Sequence, residues 1–528
     1  MANLISRSQR PPLFVAVPAA LIGLLLLLPP IYLVVRTFDA GTAVFDLLLT
    51  ARTGGILLRT LLLMAIVTAA SVAIGAPLAW LLERTDLPMR RVLGVLAALP
   101  LVMPSYVYAL IVVLALGPRG MLQGWLEPLG VERLPEVFGL PGAAFTITLL
   151  SYPYVLLPVR ASLARMDPAF EEAARSLGRS AVGTYLQVTA PLLRPAIVAG
   201  ALLAALYTLS DFGAVSLLRY HTFTWSIFIQ YGSAFDRTLA AGLSLALMLL
   251  ALALVAMEAS SRGGGRYYRS TPGAARRARR IALGKWKWPA AAFAWGVVAV
   301  ALAAPLAVLG YWVARGVSAG EPLDVLWTAG RNSLYASGLA ALAAAMAAVP
   351  VALLSVRYSG WAGIVLDRLT YVGFALPGIA VALAFVFFAT AYAGFLYQSM
   401  PLLVLAYLVL FLPAAAGAAQ ASLRQVSPRL EEAARSLGRT PWQAFAAVTL
   451  PLLGRGVLAG ATLVFLLSMK ELPATLILSP IGFKTLASAV WSAAEEAFFA
   501  RAAAPALLLV VAASLPLAYL SFRQEREE

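Results

Sequence analysis

No cysteine occurs in the 528 residues, and histidine occurs once, at position 221. Disulfides, thiolate metal sites and a cysteine nucleophile are therefore excluded, and a multi-histidine metal centre with them. Charge is scarce: 12% of residues are Asp, Glu, Lys or Arg, against 61% hydrophobic, and the mean hydropathy is +0.86. No soluble core needs so much apolar surface, so the composition describes an all-α polytopic membrane protein. Acidic residues are outnumbered 24 to 40, for a formal charge of +16. In a soluble chain that excess would point to nucleic acid. Here it has first to be set against topology.

Apolar runs of spanning length lie near 12–35, 55–82, 91–116, 141–160, 193–217 and 238–257, and again near 289–314, 333–356, 369–392, 399–423, 456–473 and 502–521. That makes about 12 transmembrane helices, six on each side of a basic stretch at 259–288. The first run follows Arg7 and Arg10 and resembles a signal peptide, but it has no small-residue cleavage pattern and is read as an uncleaved span. With both termini placed in the cytoplasm, the segments 1–11, 83–91, 160–194, 259–288, 357–368, 424–455 and 523–528 are cytoplasmic. They hold 28 of the 40 Lys and Arg and no more than half of the acidic residues. The positive charge is then a topology signal, and nucleic acid is not needed to explain it. The linker carries GGG at 263–265, Arg276, Arg277, Arg279 and Arg280, and then Lys285-Trp286-Lys287-Trp288. It is expected to anchor topology at anionic headgroups, with the tryptophans at the interface.

What stands out against this background is a charged segment present twice. EEAARSLGR occupies 171–179 and recurs unchanged at 431–439, and VTAPLLRPAIVAGA (188–201) is echoed by VTLPLLGRGVLAGA (448–461). Asp167-Pro168 and Ser427-Pro428 predict a capped helix start with proline in its first turn, where a missing N–H costs nothing. The paired glutamates fall near the positive end of that helix. Gly178 and Gly438 stand where a left-handed residue ends it. A second short helix is expected to stop before Pro191 or Pro451. It begins at Thr440 with Gln443 three residues on, a capping-box spacing, whereas the first copy has Gly183 there. Solubility alone does not preserve a charged face in duplicate; two equivalent docking surfaces do. A second register, 273 residues long, relates Pro77 to Pro350 and Pro104 to Pro377, the difference being absorbed by the longer external loop near 117–140. Six spans per half give both halves the same orientation, hence parallel repeats about an axis along the membrane normal.

EEAA followed by glycine and a later proline, on a cytoplasmic loop, resembles the EAA signature of binding-protein-dependent ABC importer permeases. Two copies in one chain resemble the fused ferric-iron and thiamine group. The resemblance implies the type I ABC importer permease fold in a bacterial inner membrane. Its permease domains would be 54–258 and 328–528, with 1–53 and 289–327 as preceding helix and external loop and 259–288 as linker. It also implies two copies of a cytoplasmic ABC ATPase and an extracytoplasmic solute-binding protein as partners. Glu171, Glu172, Ala173 and Gly178 would dock one ATPase, and Glu431, Glu432, Ala433 and Gly438 the other. No G-x-x-x-x-G-K-[ST] stretch occurs, so ATP and magnesium would sit on the ATPase, and this chain would have no cofactor and no enzymatic activity.

For the cargo, SDFGAVSLL (210–218) and MKELPATLIL (469–478) resemble ferric-iron permeases most, with thiamine, sulfate or another oxyanion, and polyamine as alternatives. Asp211 aligns with Glu471, one carboxylate from each half approaching the pseudo-two-fold axis. With Tyr207, Tyr220 or Tyr231 they offer oxygen donors suited to a hard cation. Against this, Asp211 is equally suited to pair with Arg219 or cap a helix, Glu471 has Lys470 beside it, and Lys470 would suit an anion. His221 is expected in a packing or surface role. Pro100, Pro104, Pro153, Pro377 and Pro413 are expected to kink helices, and the Ala-rich stretches 338–348 and 412–422 to pack helices closely. An ion-coupled secondary transporter has no use for two identical docking loops, and no paired catalytic carboxylates mark a membrane enzyme.

Overall fold

The computed structural model describes residues 11–527 except 40, 42–45, 47–48, 119, 132, 233–236, 262–279, 322–323 and 359. The glycines 263–265 and Arg276, Arg277 and Arg279 of the linker lie outside the described residues. Every described element is helical. The long ones are α1 (Leu13–Asp39), α2 (Ala51–Arg84), α3 (Ser105–Leu116), α4 (Leu140–Arg165), then a short α5 (Ala169–Ser176) and α6 (Ala190–Ser210). After these come α7 (Gly213–Leu217), α8 (Phe223–Gly232), α9 (Arg237–Ser261), α10 (Lys287–Val298) and α11 (Ala304–Ser318). The second half continues as α12 (Asp324–Arg357), α13 (Trp361–Ala375), α14 (Gly378–Tyr392), α15 (Met400–Gln425), α16 (Pro428–Ser436) and α17 (Leu450–Met469). It ends with α18 (Pro473–Leu478), α19 (Leu486–Glu495) and α20 (Phe499–Glu527).

All twelve predicted apolar runs lie on helices. Ten helices among the described residues are long and apolar enough to cross a membrane, eleven when the bent pair α13–α14 counts as one crossing. Phe499–Ser514 is a shorter apolar helix. The third and ninth runs are not continuous, because Pro104 and Pro377 break their helices instead of kinking them. Met103 and Leu376, the residues before the prolines, are extended (ψ 129° and 123°), and the chain bends by 107° between Trp361–Gly373 and Gly378–Tyr392. A proline ring disfavours helical backbone in the residue before it and removes one ladder donor, so a break is its ordinary result. Pro77, Pro153, Pro350 and Pro413 remain inside unbroken helices, and Pro100 lies in a 3₁₀ turn.

Two compact units result, and neither is a contiguous half of the chain. One combines residues 1–48, 227–248 and 322–492; the other combines 49–226, 249–321 and 493–528. In the first unit α1 packs on α12, α13 and α14, and in the second α11 packs on α20 and α3. Each core is held by small residues at helix crossings. A Cβ on Gly200 would lie 2.7 Å from the Tyr154 carbonyl oxygen and the Val155 Cα, and one on Gly460 would lie 2.8 Å from the Ala415 Cα. These positions are 260 residues apart on both sides of the contact, so the repeat reproduces the crossing itself. Ala340, Ala344 and Ala348 are buried, as are Ala415, Ala416 and Ala419, where α12, α15 and α17 meet, as the Ala-rich stretches predict.

The described end of the linker is tied down within its own unit. Thr85 and Ile281 form an isolated parallel bridge, Ile281 N–H donates to the Arg84 carbonyl at 2.8 Å, and Leu283 N–H donates to Asp86 Oδ1 at 3.0 Å. Lys287 Nζ lies 3.5 Å from Asp86 Oδ2. The Leu283 amide first, and Lys287 after it, hold the Asp86 carboxyl below the usual carboxylate range. Trp286 and Trp288 are 73% and 76% exposed.

Candidate functional site: paired docking helices and helix-capping carboxylates

The duplicated motif folds into the same small element twice. In α5, Asp167 Oδ1 accepts from the Ala169 amide at 3.0 Å, as expected of a cap. In α16 the cap residue Ser427 makes no side-chain cap bond, so that expectation fails there; α16 starts one position earlier, with Pro428 inside it. Gly178 and Gly438 have φ of +81° and +87°. Behind them Arg179 N–H reaches the Ala174 carbonyl and Arg439 N–H the Ala434 carbonyl, a Schellman closure in both copies. A Cβ on either glycine would meet nothing within 4 Å, so glycine is needed there for backbone conformation and not for room.

After the glycine, Thr440 and Gln443 form the expected capping box, with reciprocal bonds of 3.1 and 3.3 Å, while the first copy has only Ser180 Oγ accepting from Gly183 N–H at 3.1 Å. The short second helix does not stop before Pro191 or Pro451. A π turn, Tyr185–Thr189 in one copy and Phe445–Thr449 in the other, carries it into α6 and α17. In an unbroken α-helix the proline ring would press on the carbonyl four residues back; one widened turn shifts that register and lets the helix run on.

The structure separates the two adjacent glutamates. Glu172 and Glu432 are exposed, as are Ala173, Ala433, Gly178 and Gly438. Glu171 turns inward: its Oε1 accepts from Thr189 Oγ1 at 2.9 Å and lies 3.6 Å from Arg84 Nη2. Glu431 likewise accepts a hydrogen bond from Thr449 Oγ1. The arginine 273 residues after Arg84, Arg357, donates to the Val426 carbonyl at 3.0 Å, in the segment leading into α16. Burial, and then Glu431 close by, push the Tyr358 hydroxyl above its usual range. Sequence reasoning missed the threonines and arginines. The offsets of 260 and 273 that relate them were the available signal. Leucines 177 and 437 stand 83% and 85% exposed at the tips.

Asp211 and Glu471 also occupy matching places, at the far ends of α6 and α17. Asp211 Oδ1 accepts from the Ala214 and Val215 amides at 3.0 and 3.4 Å and so caps α7. Glu471 Oε1 accepts from the Ala474 amide at 3.2 Å and caps α18. The capping alternative for Asp211 is what the geometry shows; Arg219 instead lies over the Phe138 ring, 5.1 Å from its centroid. Ser105 lies beside both Asp211 and Tyr207, whose ring lies 5.4 Å from that of Tyr154. The cluster is thus Asp211, Tyr207 and Ser105. Tyr220 Oη donates to the Arg59 carbonyl, and Tyr231 belongs to the other unit, where it packs edge-on against Phe387. Position 378, which corresponds to Ser105 in the 273 register, is glycine. A Cβ there would come within 2.4 Å of Glu471 Oε1, so the longer carboxylate occupies the space that the serine fills in the other unit. His221 stacks on Trp225 at 4.0 Å with the rings 6° from parallel, the expected packing role. Burial first, and then Arg59 and Arg52, hold its imidazole below its ordinary value.

Residues 71–260 and 340–524 match the family described as binding-protein-dependent transport system inner membrane component. The chain is 37% identical over 515 residues to the Fe(3+)-transport system permease protein FbpB 2 of Haemophilus influenzae, covering 96% of this chain and 98% of that protein. A probable molybdenum ABC transporter permease of Haloferax volcanii is 31% identical over 44% of this chain and 87% of its own length. The sulfate transport system permease protein CysW of a Synechocystis species is 28% identical over 47% of this chain and 90% of its own.

Proposed function

Because the chain belongs to the binding-protein-dependent transport system inner membrane component family, with two matches in one polypeptide, we propose that it is the transmembrane permease subunit of an ATP-driven importer of ferric iron. The observation that carries the cargo is the near full-length likeness to a ferric-iron permease. The family implies a partner ATPase and a solute-binding protein. In this proposal two ATPase copies dock on α5 and α16 from the cytoplasm of a bacterial inner membrane, with both termini on that side. The docking face comprises Glu172, Ala173 and Gly178 in one copy and Glu432, Ala433 and Gly438 in the other, with Leu177 and Leu437 at its exposed tips. The permease regions 54–258 and 328–528 would each carry one such face. ATP is bound and hydrolysed on the ATPase, and this chain supplies the route and the lever. Asp211 with Tyr207, and Glu471, are the carboxylate-bearing points of that route.

A second reading, an oxyanion cargo, is favoured by Lys470 next to Glu471 and by the molybdenum and sulfate relatives. Proteoliposomes containing this chain, its ATPase and its binding protein separate the two. Ferric iron, molybdate, sulfate and thiamine are offered in parallel. Iron uptake that disappears when the ATPase is omitted supports the proposal; ATP-dependent uptake of an oxyanion alone replaces iron by the second reading.

A further inference from the structure

We propose that Glu171 and Glu431, the first acidic residue of each repeated motif, are positioning residues that latch each docking helix to its own unit, and that docking is left to the exposed face beside them. The inference rests on the assignment of α5 and α16 as docking helices. Its basis is the divergence of two neighbouring, chemically identical side chains. Glu172 and Glu432 point to solvent, whereas Glu171 and Glu431 are part-buried and each accepts a hydroxyl bond from a threonine that is itself buried. Thr189 is 2% exposed and Thr449 is fully buried. The arrangement occurs independently in both units at the same spacing of 18 residues.

The threonine's place makes the contact mechanical. Thr189 closes the π turn at the root of α6, and Thr449 does so at the root of α17. The 21 residues of α6 extend about 32 Å. Their far end is Ser210, next to the Asp211 cap; α17 ends at Met469, two residues before the Glu471 cap. Beside the connecting turn itself, the hydroxyl–carboxylate bond thus ties the docking helix directly to the base of the helix whose other end carries the capping carboxylate.

The arginines brace the same element from a second side. Arg84 ends α2 and is 3% exposed, with Glu171 beside it; Arg357 ends α12 and holds the backbone at Val426. Among the described residues Arg84 Nε and Nη2 have no hydrogen-bond acceptor, and the 3.6 Å approach to Glu171 is wider than a charge-assisted bond of about 2.8 Å. The first latch thus has a tighter closure available within under an ångström of movement. The linker bridge at Thr85 and Ile281 adjoins Arg84, so the first latch is backed by the inter-half linker.

The test uses the full permease with its ATPase and binding protein, and reads ATPase co-purification and ATP-driven uptake separately. Three pairs are made: Glu171→Gln with Glu431→Gln, Glu172→Gln with Glu432→Gln, and Thr189→Val with Thr449→Val. The inference expects the first and third pairs to carry ATPase at the wild-type ratio while uptake falls roughly five- to 150-fold, the span of typical inter-site coupling. Thr189→Ser with Thr449→Ser, which keeps the hydroxyl, restores uptake. The second pair instead loses ATPase. Loss of ATPase from the first pair to the same degree as from the second would make Glu171 and Glu431 docking contacts and overturn the latch. So would unchanged uptake in the threonine-to-valine pair, which is isosteric and tests the bond without removing a charge. If the wild-type chain carried no ATPase at all, the docking assignment itself would fall, and the latch with it.

Discussion

The two units hold their carboxylates by different residue pairs that fill the same space. In one, a short Asp211 meets Ser105; in the other, a longer Glu471 meets Gly378. Gly378→Ser is therefore expected to overpack, costing about 1–3 kcal/mol. Adding Glu471→Asp recreates the pair of the other unit and should recover most of that loss. Thermal unfolding of the purified variants checks it, and a double variant no more stable than the single one would contradict the size pairing. Gly178 and Gly438 pose a separate problem, since no described atom would lie within 4 Å of a Cβ there and their positive φ is what disfavours other residues. Replacing both by valine forces a β-branched residue into the left-handed region, at about 1–2 kcal/mol each before any loss of partner contact. The valine pair should lose its ATPase on purification, whereas the asparagine pair, better tolerated at positive φ, should retain it.

At the scale of elements, the two docking segments differ at the second cap. Thr440 and Gln443 bond reciprocally, while the Ser180 side chain accepts a single bond among the described residues. Thr440→Ala is expected to cost about 1 kcal/mol locally and Ser180→Ala no more than that. Hydrogen exchange in the following turn, faster in the Thr440 variant, measures the difference. The linker clasp has a pH signature whose sign follows from its geometry. The Asp86 carboxyl is held low by the Leu283 amide and Lys287. Its contribution is thus complete above the ordinary aspartate value of about 3.9 and is lost only as pH falls through the lower folded value. Protection of the Leu283 amide should stay constant from neutral pH down to about 5 and drop only in stronger acid. Asp86→Asn should reduce it at neutral pH.

The whole molecule is assembled out of chain order. Because α1 packs on α12, α13 and α14, deleting residues 1–39 is expected to destabilise the unit containing residues 322–492 and to spare the unit containing 49–226. Protease accessibility after purification reports this directly: new cleavage within 322–492 supports the packing, and new cleavage confined to 49–226 contradicts it.

Much of this was legible in the linear chain, because the constraints are local or periodic. Apolar runs must become helices where no water satisfies the backbone. Glycine with no Cβ ends α5 and α16 in the left-handed region, and a charged segment repeated unchanged folds into two matching elements. Twelve helical runs, both Schellman turns and one capping box follow from such rules. What tertiary structure alone decided is which polar group meets which. Glu171 and Glu172 are the same residue type side by side, and helical rotation points one of them at a buried threonine and the other at solvent. Prolines at 104 and 377 end helices while those at 77 and 350 stay inside them, a difference that the residue type alone does not carry. The exchange of α1 into the unit of the second half was also invisible in the sequence, because an apolar face carries no address: any helix surface of matching small residues can bury it, and only packing selects which one does.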